Sequence, residues 1–162
     1  MSYALLIDDR PEPRESLSRA ARLAGFTLLT AESWDEGLSL FQVYAPTLVI
    51  ADYQLPDSQH GIQLLSAIRR LSPSVRLILL SAFIQEDDVP EIEALGLVDR
   101  ALPKGRPNVT AEIVEEIRAA HDRAAADTDW PAYARAHTQS NNVEQSEIDE
   151  LDQRLKRIRG VE

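Results

Sequence analysis

The amino-acid sequence predicts a doubly wound α/β fold with a five-stranded parallel sheet and a C-terminal helical extension. Short apolar runs alternate along the chain with longer segments of helical period, as expected for strands joined by crossover helices. The strands are nearly continuous apolar runs, so helices must cover both faces of the sheet. With 162 residues and 44% hydrophobic content, the chain can bury one core. We therefore expect a domain over 1–126 and an extension over 127–162.

Three strands and two intervening helices are predicted in the first part of the chain. A helix is expected over 11–24, where apolar residues share one face and two prolines suit the first turn. Ser33 and Glu36 form a capping-box pattern that begins a second helix, which ends before Pro46. The predicted strands are 3–7, 26–30 and 47–51.

The same alternation continues to residue 126. A regular apolar helix is expected after Gly61, whereas the pattern of the next helix is weaker. Asp99 and Arg100 interrupt the last apolar run, so that strand is the least regular. The predicted elements after the Gly61 helix are a strand over 75–80, a helix over 87–95, a strand over 97–102 and a helix over 110–126.

Charge and composition exclude several classes of function. Lys and Arg number 17 against 27 Asp and Glu, and the net charge of -10 opposes contact with a nucleic-acid backbone. Cysteine is absent and the three histidines are far apart in sequence, so no zinc site is expected. No apolar run approaches membrane-spanning length, and no signal-peptide pattern stands at the start. We therefore expect a cytoplasmic protein that binds neither nucleic acid directly nor a membrane.

Polar residues stand where four of the predicted strands end. Asp8 and Asp9 follow the first strand, and Asp52 follows the third. Ser81 follows the fourth strand, and Lys104 lies at the exit of the fifth. Ligands of doubly wound sheets gather at the carboxyl ends of the strands. Three converging carboxylates repel one another unless a cation lies among them, and hard oxygen ligands favour Mg²⁺.

Each of these residues also has a purely structural interpretation. Asp8 and Asp9 suit the cap of the first helix, and Asp52 suits a turn. Ser81 suits a helix cap, and a single lysine such as Lys104 is most often solvated. Their joint occurrence in order, each at the end of an apolar strand, favours a functional site.

The chain resembles the receiver domains of response regulators in two-component signal transduction over about residues 3–126. The similarity is strongest over 48–61, where Leu-Pro follows soon after Asp52 and a glycine ends the segment. The polar residues at the other strand ends also match the family pattern. The resemblance implies a flavodoxin-like strand order, 2-1-3-4-5, and a phosphoprotein of a phosphorelay.

The resemblance implies a role for each residue of the site. Asp52 would be the phosphoacceptor and a ligand of Mg²⁺. Asp9 would ligate the ion directly, Asp8 largely through water, and Gln54 through its main-chain carbonyl. The residues implied to bind the phosphoryl group or to switch with it are Ser81, Ala82 and Lys104.

The resemblance implies a signalling protein that is not an enzyme with rapid turnover. A haloacid-dehalogenase-like phosphatase would use a second Asp two residues after the nucleophile, where this chain has Gln54. The implied phosphodonor is a histidine kinase or a phosphotransfer protein, and the output is contact with a further protein. The cofactor implied is Mg²⁺ alone, because positioning and charge stabilisation do most of the work of phosphoryl transfer.

Two departures from the family pattern favour an alternative function. Receivers usually carry proline directly after the lysine, whereas here Pro103 precedes Lys104 and Gly105 follows. They commonly carry Tyr or Phe three residues before the lysine, where this chain has Ala101. Phe83 is either a substitute for that aromatic residue or a packed loop residue. The alternative is an atypical receiver that acts as a phosphorylation-independent interaction or dimerisation scaffold, and a truncated transcription regulator is a third option.

The extension over 127–162 contains an amphipathic pattern. Trp130 and Tyr133 offer aromatic anchors, residues 138–142 are typical of a linker, and Ser146 is typical of a helix start. Two heptads are too few for a stable isolated coiled coil. We therefore expect the helix to dock on its own domain, on a second copy or on a partner, the alternative being a tail that frays. The predicted interface residues are Ile148, Leu151, Leu155 and Ile158.

Overall fold

The computed structural model describes residues 3–52 and 61–126, so the predicted extension lies outside the described residues. Five parallel strands form one sheet: β1 (Ala4–Ile7), β2 (Leu28–Ala31), β3 (Leu48–Asp52), β4 (Arg76–Ser81) and β5 (Arg100–Pro103). Their order, β2-β1-β3-β4-β5, confirms the predicted topology. This order places the ends of β1 and β3 side by side, because these two strands pair directly.

Four helices connect consecutive strands, and a fifth follows β5: α1 (Pro11–Leu23), α2 (Trp34–Tyr44), α3 (Gly61–Leu71), α4 (Val89–Ala94) and α5 (Val109–Ala126). The weak pattern predicted over 87–95 is a 3-10 turn, Glu86–Asp88, followed by the short α4. Of the helices in the described ranges, none is both long and apolar enough to cross a bilayer.

Alternate residues of the strands face two separate apolar cores. Leu5, Ile7 and Val49 belong to the core beneath α2, α3 and α4. Leu6 and Ile50 belong to the core beneath α1 and α5. All five side chains are fully buried. Both faces of the sheet are therefore covered, as the continuous apolar strands require.

The start of α2 differs in one detail from the predicted capping box. Ser33 Oγ accepts a hydrogen bond from the Glu36 N–H at 3.2 Å, as predicted. The Glu36 carboxylate accepts the N–H of Glu32 at 2.9 Å, one residue before the expected partner. Both bonds satisfy N–H groups near the helix start. The helix is therefore capped, although the Glu36 carboxylate bonds to Glu32 and not to Ser33.

The strand predicted over 97–102 begins at Arg100, because Asp99 has another role. The Asp99 N–H donates to the Leu77 carbonyl, and its carboxylate accepts the Leu77 N–H, each at 2.8 Å. The same carboxylate lies 3.0 Å from Arg69 Nη2, and Arg69 is buried. The residue that interrupts the apolar pattern therefore joins β5 to the start of β4.

Candidate functional site

Three carboxylates meet at the carboxyl edge of the sheet. Asp8 and Asp9 follow β1, and Asp52 is the last residue of the neighbouring β3. Each side chain offers an oxygen that lies within 4.8 Å of the other two. Asp8 is 0% and Asp52 is 3% exposed, so water screens their mutual repulsion poorly.

Lys104 supplies a positive charge to this acidic cluster. Its Nζ lies 2.9 Å from Asp52 Oδ2 and 3.1 Å from Asp8 Oδ2. The Lys104 N–H donates to the Ser81 carbonyl at 2.9 Å, which extends the pairing of β4 and β5 to the lysine itself. Three carboxylates beside one ammonium still leave an excess of negative charge at this edge.

The β1–α1 loop holds the two consecutive acids differently. The Arg10 N–H donates to Asp8 Oδ1 at 2.9 Å, and Arg14 Nη1 donates to the Asp8 carbonyl at 2.8 Å. Asp9 Oδ1 is buried and has no hydrogen-bond partner within the described part of the chain. A buried carboxylate oxygen requires a partner, and clustered carboxylate oxygens are the ligands that hard cations prefer. The residues present therefore fit a divalent cation such as Mg²⁺.

Ser81 brings a hydroxyl group to the same edge of the sheet. It is the last residue of β4, it is 1% exposed, and its Oγ accepts the Phe83 N–H at 3.1 Å. Ala82 and Phe83 are exposed beyond it. The four strand-end positions predicted from sequence thus lie at one edge, with Asp8, Asp52 and Lys104 in direct contact.

The two departures from the family pattern leave Lys104 within reach of the acids. Pro103 is the last residue of β5 and pairs with Ser81, and every peptide bond in the described ranges is trans. Ala101 is fully buried, and its N–H donates to Glu93 Oε1 of α4 at 3.1 Å. A side chain of α4 therefore satisfies the backbone of β5 at this position.

Sequence reasoning missed Arg106, which connects the loops that follow β4 and β5. Its Nε and Nη2 lie 2.6 and 2.7 Å from the Glu86 carboxylate. Its Nη1 lies 3.1 Å from both oxygens of Glu112. The hydrogen bond from Arg106 holds the pKa of the Glu86 carboxyl below its ordinary value. No local pattern in the sequence pairs Arg106 with Glu86, which lies 20 positions away.

Two groups of predicted site residues lie outside the described residues. Gln54 belongs to the segment between β3 and α3, and the four predicted interface residues belong to the extension. Their assigned roles stay predictions.

Comparison with known families matches residues 4–118 to the response regulator receiver domain. The transcriptional regulatory protein PrrA of Mycobacterium tuberculosis is 29% identical over 98% of this chain and 63% of its own length. The CpxR homolog of Haemophilus influenzae is 33% identical over 94% of this chain and 59% of its own length. The chain thus spans less than two thirds of these curated relatives.

Solved structures share the fold. A crystal structure of the response regulator TrrA from Thermotoga maritima, in complex with Mg(2+)-BeF, is 26% identical with a TM-score of 0.61. The match covers 74% of this chain and 99% of that one. A receiver domain from Clostridium thermocellum is 23% identical with a TM-score of 0.63, over 78% and 98% of the two chains.

Proposed function

This chain belongs to the response regulator receiver domain family of two-component systems, and we propose that Asp52 is its phosphoryl acceptor. The observation that carries the proposal is the contact of Lys104 Nζ with both Asp52 and Asp8 in a buried acidic cluster. Such a site concentrates charge-stabilising groups around one carboxylate, which is what phosphoryl transfer requires.

The proposed reaction moves a phosphoryl group from a histidine kinase or a phosphotransfer protein. An oxygen of Asp52 attacks the phosphorus of the donor phosphohistidine, and the P–N bond breaks with its electron pair on the imidazole nitrogen. An acyl phosphate forms on Asp52. Lys104 then exchanges its bond to the carboxylate for one to a phosphoryl oxygen, and the Ser81 hydroxyl donates a hydrogen bond to another phosphoryl oxygen.

Mg²⁺ is the proposed cofactor of this step. Asp8, Asp9 and Asp52 would hold it, together with the main-chain carbonyl of Gln54, and the unpartnered Asp9 Oδ1 supports this assignment. When bound, the ion supplies charge neutralisation for the phosphoryl oxygens. The described carboxylates position the ion site, and Lys104 balances part of their charge when the phosphoryl group is absent.

We further propose that residues 1–126 form the receiver and that residues 127–162 form an extension that takes part in the output. The output would be protein contact through the apolar positions of the extension. The net charge of -10 supports protein contact over direct contact with nucleic acid.

The alternative function, a phosphorylation-independent scaffold, was predicted from Ala101 and from Pro103. The geometry of the described residues does not favour it. Lys104 contacts Asp52 although Pro103 precedes it, so this departure from the family pattern leaves the contact in place.

Intact-mass measurement after incubation with acetyl phosphate and Mg²⁺ tests the acceptor. The parent chain should gain the mass of one phosphoryl group, and Asp52→Asn should gain none, because an amide cannot attack phosphorus as a carboxylate does. Asp87→Asn, an exposed acid of the 3-10 turn, is the matched control and should label like the parent. Labelling that persists in Asp52→Asn would contradict the assignment.

A further inference from the structure

Exposed apolar side chains are concentrated at one pole of the domain. The large apolar side chains that are exposed within the described ranges are Leu23, Val43, Tyr44, Leu71 and Phe83. The first four lie at the last residues of α1, α2 and α3, where these helices reach the amino ends of the strands. We call this pole the base. It is opposite the edge that carries the carboxylates, so the proposed phosphoryl site does not account for its apolar character.

A cavity of about 90 Å³ opens at the base between α5 and the amino ends of β1 and β3. The Phe26 and His121 rings meet edge to face there, with centroids 5.3 Å apart. The Arg118 guanidinium lies 5.4 Å from the centroid of the Phe26 ring. Aromatic walls with a cation at the rim suit a flat aromatic side chain. The principal lining residues are Tyr3, Phe26, Thr47, Ile117, Ala120 and His121.

The chain itself carries an aromatic side chain within reach of this cavity. α5 is described as far as Ala126, about 8 Å beyond His121 at the rise of an α-helix. Trp130 follows four residues later, and four residues span up to about 13 Å. Pro131 opposes continuation of the helix, because a proline inside a helix removes a hydrogen bond. The indole can therefore return to the cavity.

Charge at the base complements the segment that contains Trp130. Asp127 and Asp129 precede the indole. The last turns of α1 and α5 carry the exposed Arg22 and Arg123. An acidic segment close to these arginines gains favourable electrostatic energy, which directs it to the base.

We propose that residues 127–133 fold back on the base and seat an edge of the Trp130 indole in the open mouth of the cavity, beside Phe26 and His121. Docking removes the apolar surfaces of both the indole and the cavity from water. It also fixes where the rest of the extension begins, at the pole opposite Asp52. The docking does not depend on phosphorylation, so it stands or falls separately from the proposed acceptor.

Acrylamide quenching of tryptophan fluorescence in the full chain tests this docking. The chain has two tryptophans, and Trp34 is 5% exposed in the core. The difference between the parent and Trp130→Phe isolates the emission of Trp130. Docking predicts a blue-shifted difference spectrum and a quenching constant at least about threefold below that of free tryptophan.

Two variants on one helix separate docking from a general change of charge. His121→Glu places a carboxylate at the cavity wall and should raise the quenching constant of Trp130 toward the free value. Ala119→Glu adds an acid at an exposed position outside the lining and should leave the constant unchanged. Circular dichroism checks folding, and Phe26→Leu, which removes the aromatic wall, replaces His121→Glu if that variant does not fold.

The same measurements identify other outcomes. A Trp130 that is quenched like free tryptophan in the parent overturns the proposal, as does protection that neither His121→Glu nor Phe26→Leu reduces. Protection that is lost on dilution, together with a dimeric mass by light scattering, would assign the cavity to a second copy and overturn docking within one chain. Protection that is independent of concentration and sensitive to the cavity variants supports it.

Discussion

Asp8 and Asp52 are buried carboxylates that share one ammonium group. Their side chains are 0% and 4% exposed, and that of Lys104 is 16% exposed, so solvent compensates little of the desolvation cost. Asp9 adds a third carboxylate with a buried, unpartnered Oδ1 in the described part of the chain. A divalent cation would relieve both the repulsion and the missing contact.

Mg²⁺ is therefore expected to stabilise the fold. A ligand present at 100 times its dissociation constant adds about 2.7 kcal/mol, which should raise the Tm in thermal unfolding. Asp9→Ala should abolish most of this rise, because it removes the oxygen that lacks another partner. Glu12→Gln, an exposed acid in the first turn of α1, should keep it. Equal Tm values with and without millimolar Mg²⁺ would argue against the site.

At the scale of elements, the contacts of a buried arginine with the segment before β5 fix where the last strand begins. Arg69 of α3 donates to the Pro73, Val75 and Leu97 carbonyls and to the Asp99 carboxylate. One guanidinium thus donates hydrogen bonds to backbone oxygens that precede β4 in sequence and to one that follows it. Several directional hydrogen bonds to one buried cation favour a single arrangement of the backbone around it.

Asp99→Ala should destabilise the domain by about 2 to 4 kcal/mol, because the Leu77 N–H and part of Arg69 lose their acceptor. Urea denaturation measures the change in the free energy of unfolding. Asp122→Ala removes an exposed acid from α5 and should change it by less than about 0.5 kcal/mol. Similar midpoints for the two variants would show that the Asp99 contacts contribute little.

Glu116 ties α5 to two strands. Its carboxylate accepts hydrogen bonds from Arg76 of β4 at 2.6 Å and from Arg100 of β5 at 2.9 Å. Burial alone would raise the pKa of Glu116, but the hydrogen bonds from the two arginines outweigh it and hold the pKa below its ordinary value. The contribution of this carboxylate to stability is therefore present above its unfolded-state pKa and is lost as the pH falls through the lower folded-state pKa.

Glu116→Gln should consequently be less stable than the parent near neutral pH, by about 1 to 3 kcal/mol. The difference should shrink as the pH falls from the ordinary carboxyl pKa of 4.5 through the lower folded-state pKa, because the parent carboxylate becomes protonated over that range. Glu115→Gln, at an exposed neighbouring position, serves as the control. Thermal unfolding at a series of pH values measures the difference, and a gap that stays constant into acid would refute the linkage.

At the scale of the whole molecule, ion pairs connect the loop after Ser81, at the candidate site, to the surface formed by β5 and α5. Arg106 joins Glu86, in the 3-10 turn after Ser81, to Glu112 of α5. Under the proposed function, a phosphoryl group that drew Ser81 and Lys104 together would change the distance between the loops that Arg106 connects. It can bias an output only if it interacts differently with two arrangements of this face.

We propose that the predicted helix near residues 143–159 responds to this change in the distance between the loops. Leu151→Asp combined with Leu155→Asp should remove any beryllofluoride-dependent change in mass or in hydrogen exchange of β5 and α5, because charges at the a/d positions prevent apolar docking. Light scattering and hydrogen exchange, with and without beryllofluoride, provide the two measurements.

The matched control for this double variant adds the same charges at positions outside the a/d set. Gln145→Asp combined with Gln153→Asp should respond to beryllofluoride like the parent. Unchanged mass and unchanged protection of the parent in both states would leave the extension without a role in the output.

The fold, and the convergence of the candidate site residues at one edge of the sheet, could be predicted because both depend on local patterns. Hydrophobic period distinguishes strands from helices, and parallel strands bring their carboxyl ends to one edge, where Asp8, Asp52, Ser81 and Lys104 are found. The polar residue that follows each apolar run can be identified from the sequence. The order of the strands then determines which of these residues lie next to one another.

Tertiary structure alone decided which charged side chains pair. Asp99 interrupts an apolar pattern, and nothing local shows that it accepts the Leu77 N–H, 22 positions away in sequence. The same holds for Glu93 beneath Ala101, since its partner lies on another element. A long polar side chain can reach several candidate partners, and the packing of distant elements determines which one is close enough to bond. Apolar period is a property of one segment, whereas an ion pair is a property of two segments brought together by the fold.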